Sequence, residues 1–453
     1  MRLAILGGGG FRVPLIYRAL ARRAGLNSAG LPTAGLDSGP VITEVVLYDA
    51  DPARTAVIVA VLAGEPGPPI RAVGSVAAAV TGADVVFSAI RVGGAEGRVR
   101  DERRALAAGI LGQETVGAGG ISYALRTLPV VLEQSRLIRE LAPDAWLINF
   151  TNPAGLVTQA LHAVLGDRVV GICDSPIGLL RRACLAAGTS AAELDEIDYV
   201  GINHLGWLRS LRCGQRDLLP GLLSDDAALD SFEEGRLFGG PLLRAVGSLP
   251  NEYAYFYYAA RDLVSALMNG RTRGEVVAAD QDDFYVAAGA DPQRAGALWT
   301  ATRQRREESY LAETRSADER RDVADLAGGG YEEVALDVIG AVLGGRPAQL
   351  IVNARNGDTI PQLPPDLVIE VPCVIDERGA HPLPVAPLDL HQLGLIASVR
   401  ASEQAVIDAV QHRSRELALR AFVIHPLVGS PAVAQRLLGE LLSDEPALAD
   451  HLR

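Results

Sequence analysis

Short apolar runs alternate with stretches whose apolar residues recur at helical spacing, and this alternation fills the first third of the chain. Arg2-Leu3-Ala4-Ile5-Leu6 is an apolar run closed by Gly7-Gly8-Gly9-Gly10, and a helical pattern follows from about Val13 to Arg23. Residues 41–49 read as a second strand ending on Asp49, followed by a helix over about 52–64, a strand at about 70–73 and another helix. Residues 83–90 and 146–150 are further apolar strands. Strand alternating with helix predicts a parallel, right-handed, doubly wound sheet. Ligands of such sheets gather beyond the carboxyl ends of the strands.

From about residue 165 the pattern changes to mixed strands and long helices. Strands are expected at 198–202 and 208–211, either side of His204, and at 350–353. Helices are expected over 252–268, with Asn269-Gly270 as its C-cap, and over 275–289, 293–316, 331–343 and 388–419. The 293–316 helix is heavily charged and reads as a solvated face, Arg306 included. Residues 360–372 are proline-rich and extended, and 25–41 read as a surface loop. A chain of 453 residues exceeds the ~250–300 at which one core usually divides. The expected division is a dinucleotide-binding domain over 1–165 and a substrate domain over 166–453.

Lys and Arg total 42 against 55 Asp and Glu, a net charge of −13. That argues against a general nucleic-acid or anionic-membrane surface but leaves room for a local basic pocket. Cys173, Cys184, Cys213 and Cys373 are too few for a disulfide framework, and no C-x-x-C pair occurs. The sequence enters its first strand without a signal-peptide pattern, and no uncharged apolar run reaches the ~18–20 residues of a membrane span. The expected compartment is the reducing cytoplasm.

Candidate chemistry is sought just after each strand. Gly7-x-Gly9, continued by Gly10, supplies part of a dinucleotide fingerprint, and Arg12 stands where its last glycine would fall. Such a turn lets a pyrophosphate approach the backbone at a helix N-terminus; the alternative is a plain structural turn. Asp49 sits where a dinucleotide fold holds the ribose hydroxyls, which favours NAD over NADP. After the fourth strand come Arg98, Arg100, Asp101, Glu102 and Arg103, then a glycine-rich loop at 111–120 containing Glu114. That loop is either a mobile turn or one folded against a ligand. Asn152 follows the 146–150 strand, and Cys173-Asp174 and Asn203-His204 follow two later ones. Thiolate and imidazole are ligands that a borderline divalent cation accepts, although a lone cysteine is usually a small buried hydrophobe and a lone histidine usually a satisfied core or surface residue. Tyr253, Tyr255, Tyr257 and Tyr258 read as an aromatic core face or, at one position, as a base. His381, His391, His412, His425 and His451 read as structural or surface residues.

Taken together, the GGGG turn, Asp49, IRVGG, GQETVGAGG, INFTNPAG, GICDSP, GINHLGW, NEYAYFYY, TRGE at 272–275 and the 353–372 stretch resemble glycoside hydrolase family 4. These are the NAD- and metal-dependent glycosidases, and the resemblance covers most of the chain. It implies a Rossmann domain like that of lactate and malate dehydrogenases, followed by an α/β substrate domain. It also implies NAD and a divalent cation, usually Mn2+, and a homodimer or homotetramer. Within the family the chain is most similar to the 6-phospho-β-glucosidases, which implies a phosphorylated disaccharide or aryl glucoside as substrate. By the same resemblance Cys173 and His204 are the metal ligands, and Arg98, Asn152 and Arg273 bind substrate. Asp174 is the acid, Tyr253 the base, and Glu114 tunes that base. The implied route is oxidation at sugar C3, metal-assisted deprotonation at C2, elimination, water addition and re-reduction.

Two departures stand out. Ala118 replaces a common proline. Asp174 follows the cysteine where many β-members carry Asn and α-members often Asp, which leaves a 6-phospho-α-glucosidase as the alternative. A NAD-dependent 2-hydroxy-acid dehydrogenase, which needs no metal, and a non-catalytic NAD-binding sensor are alternatives of other classes.

Overall fold

The computed structural model describes residues 1–24, 41–268, 270–309 and 330–453. The expected 25–41 loop falls almost wholly outside the described residues. So do Asn269 of the expected C-cap and the end of the 293–316 helix, which is described as Ala295–Glu308.

The apolar runs form β1 (Arg2–Leu6), β2 (Glu44–Tyr48), β3 (Ile70–Ala72), β4 (Val85–Ser88), β5 (Trp146–Asn149) and β6 (Val169–Gly171). All pair in parallel, in the order β3-β2-β1-β4-β5-β6. This is the doubly wound order of dinucleotide-binding folds, whose ligand crevice opens between β1 and β4. Successive strand residues point to opposite faces, so Leu3 and Ile5 join one core while Ala4 and Leu6 join another. The connecting helices α1 (Val13–Arg23), α2 (Pro52–Val61), α3 (Val76–Val80), α4 (Gly94–Ala107), α5 (Gly117–Leu141), α6 (Ala154–Leu165) and α7 (Ser175–Ala186) complete the layers.

The sheet does not stop at β6. It continues through β11 (Ala348–Arg355), β12 (Val368–Asp376), β7 (Glu196–Ile202), β8 (Leu205–Cys213) and β10 (Leu249–Pro250), all antiparallel. β13 (Gly379–Pro382) pairs with β12, and β9 (Arg216–Asp217) with β8, giving a sheet of 13 strands among the described residues. One row crosses this half: Gly171, Asn353, Glu370, Gly201 and Gly206 are successive cross-strand partners. A Cβ on Gly201 would lie 2.4 Å from the Gly206 Cα, so the row closes only with glycine there. No helix among the described residues is long and apolar enough to cross a membrane.

Four local expectations change. Residues 117–120 are not a loop but the first turn of α5, folded so closely against the preceding segment that a Cβ on Gly119 would lie 1.9 Å from the Gln113 carbonyl oxygen. The expected 252–268 helix is three pieces, a 3-10 turn at Glu252–Ala254 capped by Asn251 and helices at Tyr255–Tyr258 and Ala260–Met268. The break sends Tyr253 onto His204 while Tyr255 and Tyr258 pack on Phe238. The expected extended stretch 360–372 is a run of turns as far as Leu367 and becomes extended only where β12 starts at Val368. The 388–419 helix divides at Arg413, whose φ of 55° belongs to a left-handed cap, into Leu390–His412 and Arg415–Ile424.

Candidate active site

A cavity of about 700 Å³ opens beyond the carboxyl ends of β1 and β4, where the strand order reverses. Its walls include Gly7, Gly10, Asp49, Arg98, Glu114, Asn152, Cys173, Asp174, His204, Tyr253 and Arg273. Of the site residues expected from sequence, Gly9 alone is not in the wall.

The glycine turn explains that absence. Gly7 has a φ of 88°, and a Cβ there would meet the Ala89 carbonyl oxygen at 2.5 Å. The amides of Gly7 and Gly8 both donate to the Tyr48 carbonyl, and that of Gly9 to Asp49 Oδ2 at 3.0 Å. Asp49 therefore braces the turn from the end of β2. Its spare lone pairs remain available to a hydroxyl at the cavity rim.

Cys173 follows β6, and His204 occupies the tight β7–β8 turn with a φ of 65°, a conformation that a non-glycine residue holds only under local constraint. That constraint is visible. Asn203 Oδ1 accepts from the Ala154 amide, and Glu370 accepts from Asn353 Nδ2 at 3.0 Å, Tyr199 Oη at 3.2 Å and Asn203 Nδ2 at 3.4 Å. Burial pushes the Glu370 carboxyl up to about 7 against these hydrogen bonds.

Thr115 Oγ1 lies 2.8 Å from His204 Nδ1, which leaves Nε2 for a ligand. Burial holds the His204 imidazole at about 4, hence neutral at pH 7, and raises the Cys173 thiol well above its usual range. A neutral imidazole and a soft sulfur suit a borderline divalent cation, and loading one would release the thiol proton. Among the described residues no three His, Cys, Asp or Glu converge into a metal cluster. The rest of a cation's shell would therefore come from substrate or water oxygens.

The Tyr253 ring stacks on His204 with centroids 3.7 Å apart and planes 6° apart. Burial, with the charges of Glu252, Cys173, Glu114 and Asp174, pushes its hydroxyl well above the usual value of about 10. Burial alone would also raise the Glu114 carboxyl, but ion pairs to Arg91 and Arg98 outweigh it and hold the group at about 2. Glu114 is thus a fixed anion spanning two arginines. Asp174 pairs with Arg12 at 3.4 Å. Asn152 Oδ1 is buried without a hydrogen-bond partner among the described residues, an acceptor that a sugar hydroxyl would satisfy.

Residues 38–186 match the family model described as family 4 glycosyl hydrolase, and residues 199–428 match its C-terminal domain. The chain belongs to glycosyl hydrolase family 4. A probable 6-phospho-beta-glucosidase of Bacillus subtilis (strain 168) is 30% identical over 385 residues, covering 82% of this chain and 80% of its own. A 6-phospho-beta glucosidase from Thermotoga maritima, solved with manganese, NAD+ and glucose-6-phosphate, has a TM-score of 0.79 at 25% identity over 99% of both chains. A 6-phospho-alpha-glucosidase from gut microorganisms, solved with NAD and glucose-6-phosphate, has a TM-score of 0.80 at 25% identity over 99% of this chain and 98% of that one. The family 4 enzyme is therefore a hydrolase of glycosides with a Rossmann-type half and an antiparallel half.

Sequence reasoning missed four contributors. Arg91 and Thr115 lie inside motifs visible in the sequence, but only the structure pairs them with Glu114 and His204. Arg12 stands out in the sequence only as a departure from the glycine fingerprint. Arg306, expected on a solvated face, lines the cavity; its charged neighbours hid it, and no local signal distinguished it.

Proposed function

We propose that the family 4 enzyme is a NAD- and Mn2+-dependent 6-phosphoglucosidase, with the β-linked substrate as its first preference. The observation that carries this reading is convergence: the turn braced by Asp49, the Cys173–His204 donor pair, Tyr253 and the arginines share one cavity. When bound, NAD supplies a reversible acceptor for a sugar hydride, and a divalent cation held by Cys173 and His204 supplies Lewis acidity to the neighbouring sugar oxygens.

The chain's own groups do the rest. Tyr253 takes the proton next to the oxidised carbon, and its raised pKa means that it needs positive charge beside the His204 ring. Asp174, at the start of α7, serves the departing glycosidic oxygen. Arg98, fixed by Glu114 and by Glu102 Oε1 at 2.6 Å, and Asn152 orient the sugar. Residues 1–165 act as the cofactor half and 166–453 as the substrate half.

The α-linked reading rests on Asp174 and on the 6-phospho-alpha-glucosidase among the similar structures. Hydrolysis of p-nitrophenyl α- and β-glucoside 6-phosphates and their unphosphorylated forms, with NAD+ and Mn2+ present or singly omitted, tests both. Cleavage of the β-phosphate that needs both additions is the expected result. Cleavage of the α-phosphate alone transfers the assignment to the α-enzyme, and no cleavage of any overturns both.

A further inference from the structure

We propose that Arg306 and Arg12, beside Arg273, form the floor that reads the phosphate monoester of the sugar substrate, a proposal that rests on the phosphoglucosidase reading above. All three arginines line both the main cavity and a smaller one of about 120 Å³ that continues past Asp174 and Tyr253. The three come from distant parts of the chain. Arg12 is the N-cap of α1, Arg273 opens the Arg273–Ala290 helix, and Arg306 lies near the end of the Ala295–Glu308 helix.

Glu114 holds Arg91 and Arg98, Glu102 holds Arg98, and Asp174 holds Arg12. Glu233, Glu252, Glu307 and Glu332 line the smaller cavity as well. Among the described residues none of these carboxylates pairs with Arg306. Its guanidinium lies 4.5 Å over the Phe11 ring, its carbonyl accepts from Arg273 Nη2 at 3.0 Å, and its Nη1 is buried without a hydrogen-bond partner among the described residues. Burial, then repulsion by Arg12, Arg273 and Arg91, brings its pKa down to about 9. A buried guanidinium donor without an acceptor, held among like charges, is stabilised by a dianion that accepts from it and screens its neighbours.

A dinucleotide diphosphate has the same chemistry, but the geometry favours the sugar. The smaller cavity touches neither Gly7, Gly10 nor Asp49, and the guanidinium of Arg12 reaches Asp174 rather than the glycine turn. The phosphate would therefore sit at the reacting end of the site.

Binding of glucose 6-phosphate, glucose and NAD+ to the full-length protein and to Arg306→Met, measured by calorimetry, tests the assignment. Methionine keeps the apolar stem on Phe11, and Arg306→Lys restores the charge without the fork. Losing a charge-assisted contact should weaken glucose 6-phosphate by about 10- to 100-fold in Arg306→Met, with partial recovery in Arg306→Lys. NAD+ affinity and the melting temperature should stay unchanged. Unchanged glucose 6-phosphate affinity, or an equal loss for glucose, overturns the proposal. A loss confined to NAD+ also overturns it by giving the floor to the dinucleotide. The function reading fails separately: a wild-type protein that binds glucose 6-phosphate through Arg306 yet cleaves no phosphorylated glucoside leaves the anion floor standing and removes the glucosidase.

Discussion

At the scale of single residues, two buried histidines show how one physical cause serves two purposes. His204 and His425 are both held at about 4 by burial. In His204 that keeps the imidazole neutral with Nε2 uncommitted to Thr115, as the proposed role of metal ligand requires. His425 lies away from the cavity, and its Nδ1 accepts from the Leu427 amide at 3.1 Å, which only the deprotonated nitrogen can do. Its folded pKa lies below the unfolded value of about 6.5. Its contribution to stability is therefore full above pH 6.5 and is lost as the pH falls towards 4. His425→Asn, which keeps an acceptor in place of Nδ1 but does not titrate, should lose less stability between pH 7 and pH 4.5 than the wild type. The difference should be about 2–3 kcal/mol, from ~1.4 kcal/mol per pKa unit. Parallel urea titrations at the two pH values read it directly, and identical losses would show that His425 keeps its ordinary, unfolded-state pKa within the fold. The sequence placed His425 among structural or surface residues; its burial depends on helices packed around it, which no local pattern reveals.

At the scale of elements, the site depends on how α4 meets the Arg273–Ala290 helix. Glu102 is 1% exposed, accepts from Arg98 Nε at 2.6 Å and from the Gly274 amide at 2.8 Å, and so ties the expected substrate arginine Arg98 and the backbone next to another, Arg273, to one carboxylate. A Cβ on Gly274 would lie 2.5 Å from Glu102 Oε2, so glycine is what lets that helix start so near. The helix start is also fixed from outside by a capping box between Thr272 and Glu275 and by Arg103 on Glu275. Glu102→Ala should raise KM for the phosphorylated glucoside about tenfold with a smaller change in kcat, as Arg98 and the start of the Arg273–Ala290 helix lose their shared anchor. Glu102→Gln, whose amide oxygen can still accept from Arg98 or from the Gly274 amide, should fall between. Steady-state kinetics at saturating NAD+ decide it, and an unchanged KM in the alanine variant would make Glu102 a stability residue only. The TRGE motif and the 98–103 charges were legible in the sequence as separate signals. Their union across 172 positions was not, because glutamate at an i+4 spacing from arginine reads equally as a solvated helical pair.

At the scale of the whole molecule, the two halves share one sheet, and the antiparallel half also holds the glycine turn from outside. Tyr285 Oη donates to the Gly9 carbonyl at 2.6 Å, Trp299 Nε1 to the Phe11 carbonyl at 2.8 Å and Tyr331 Oη to the Arg12 carbonyl at 2.6 Å. Three carbonyls of the turn and the residues just after it are thus taken by side chains 276 to 319 positions away. The doubly wound order was readable from the strand–helix alternation, since each unit is local. The aromatic straps were not, since a buried tyrosine or tryptophan gives no sign of which carbonyl it will meet. If the straps hold the turn in the shape that binds the dinucleotide, weakening one should be felt as lost cofactor affinity even though Tyr285 does not line the cavity. Tyr285→Phe removes a single hydroxyl and keeps the ring under Arg54. The loss of ~1 kcal/mol for one hydrogen bond predicts a roughly fivefold weaker NAD+ affinity, with kcat at saturating NAD+ unchanged. Fluorescence titration of NAD+ alongside thermal melts separates the two roles. A lower melting temperature with unaltered NAD+ affinity would mean that the strap supports the fold without shaping the turn.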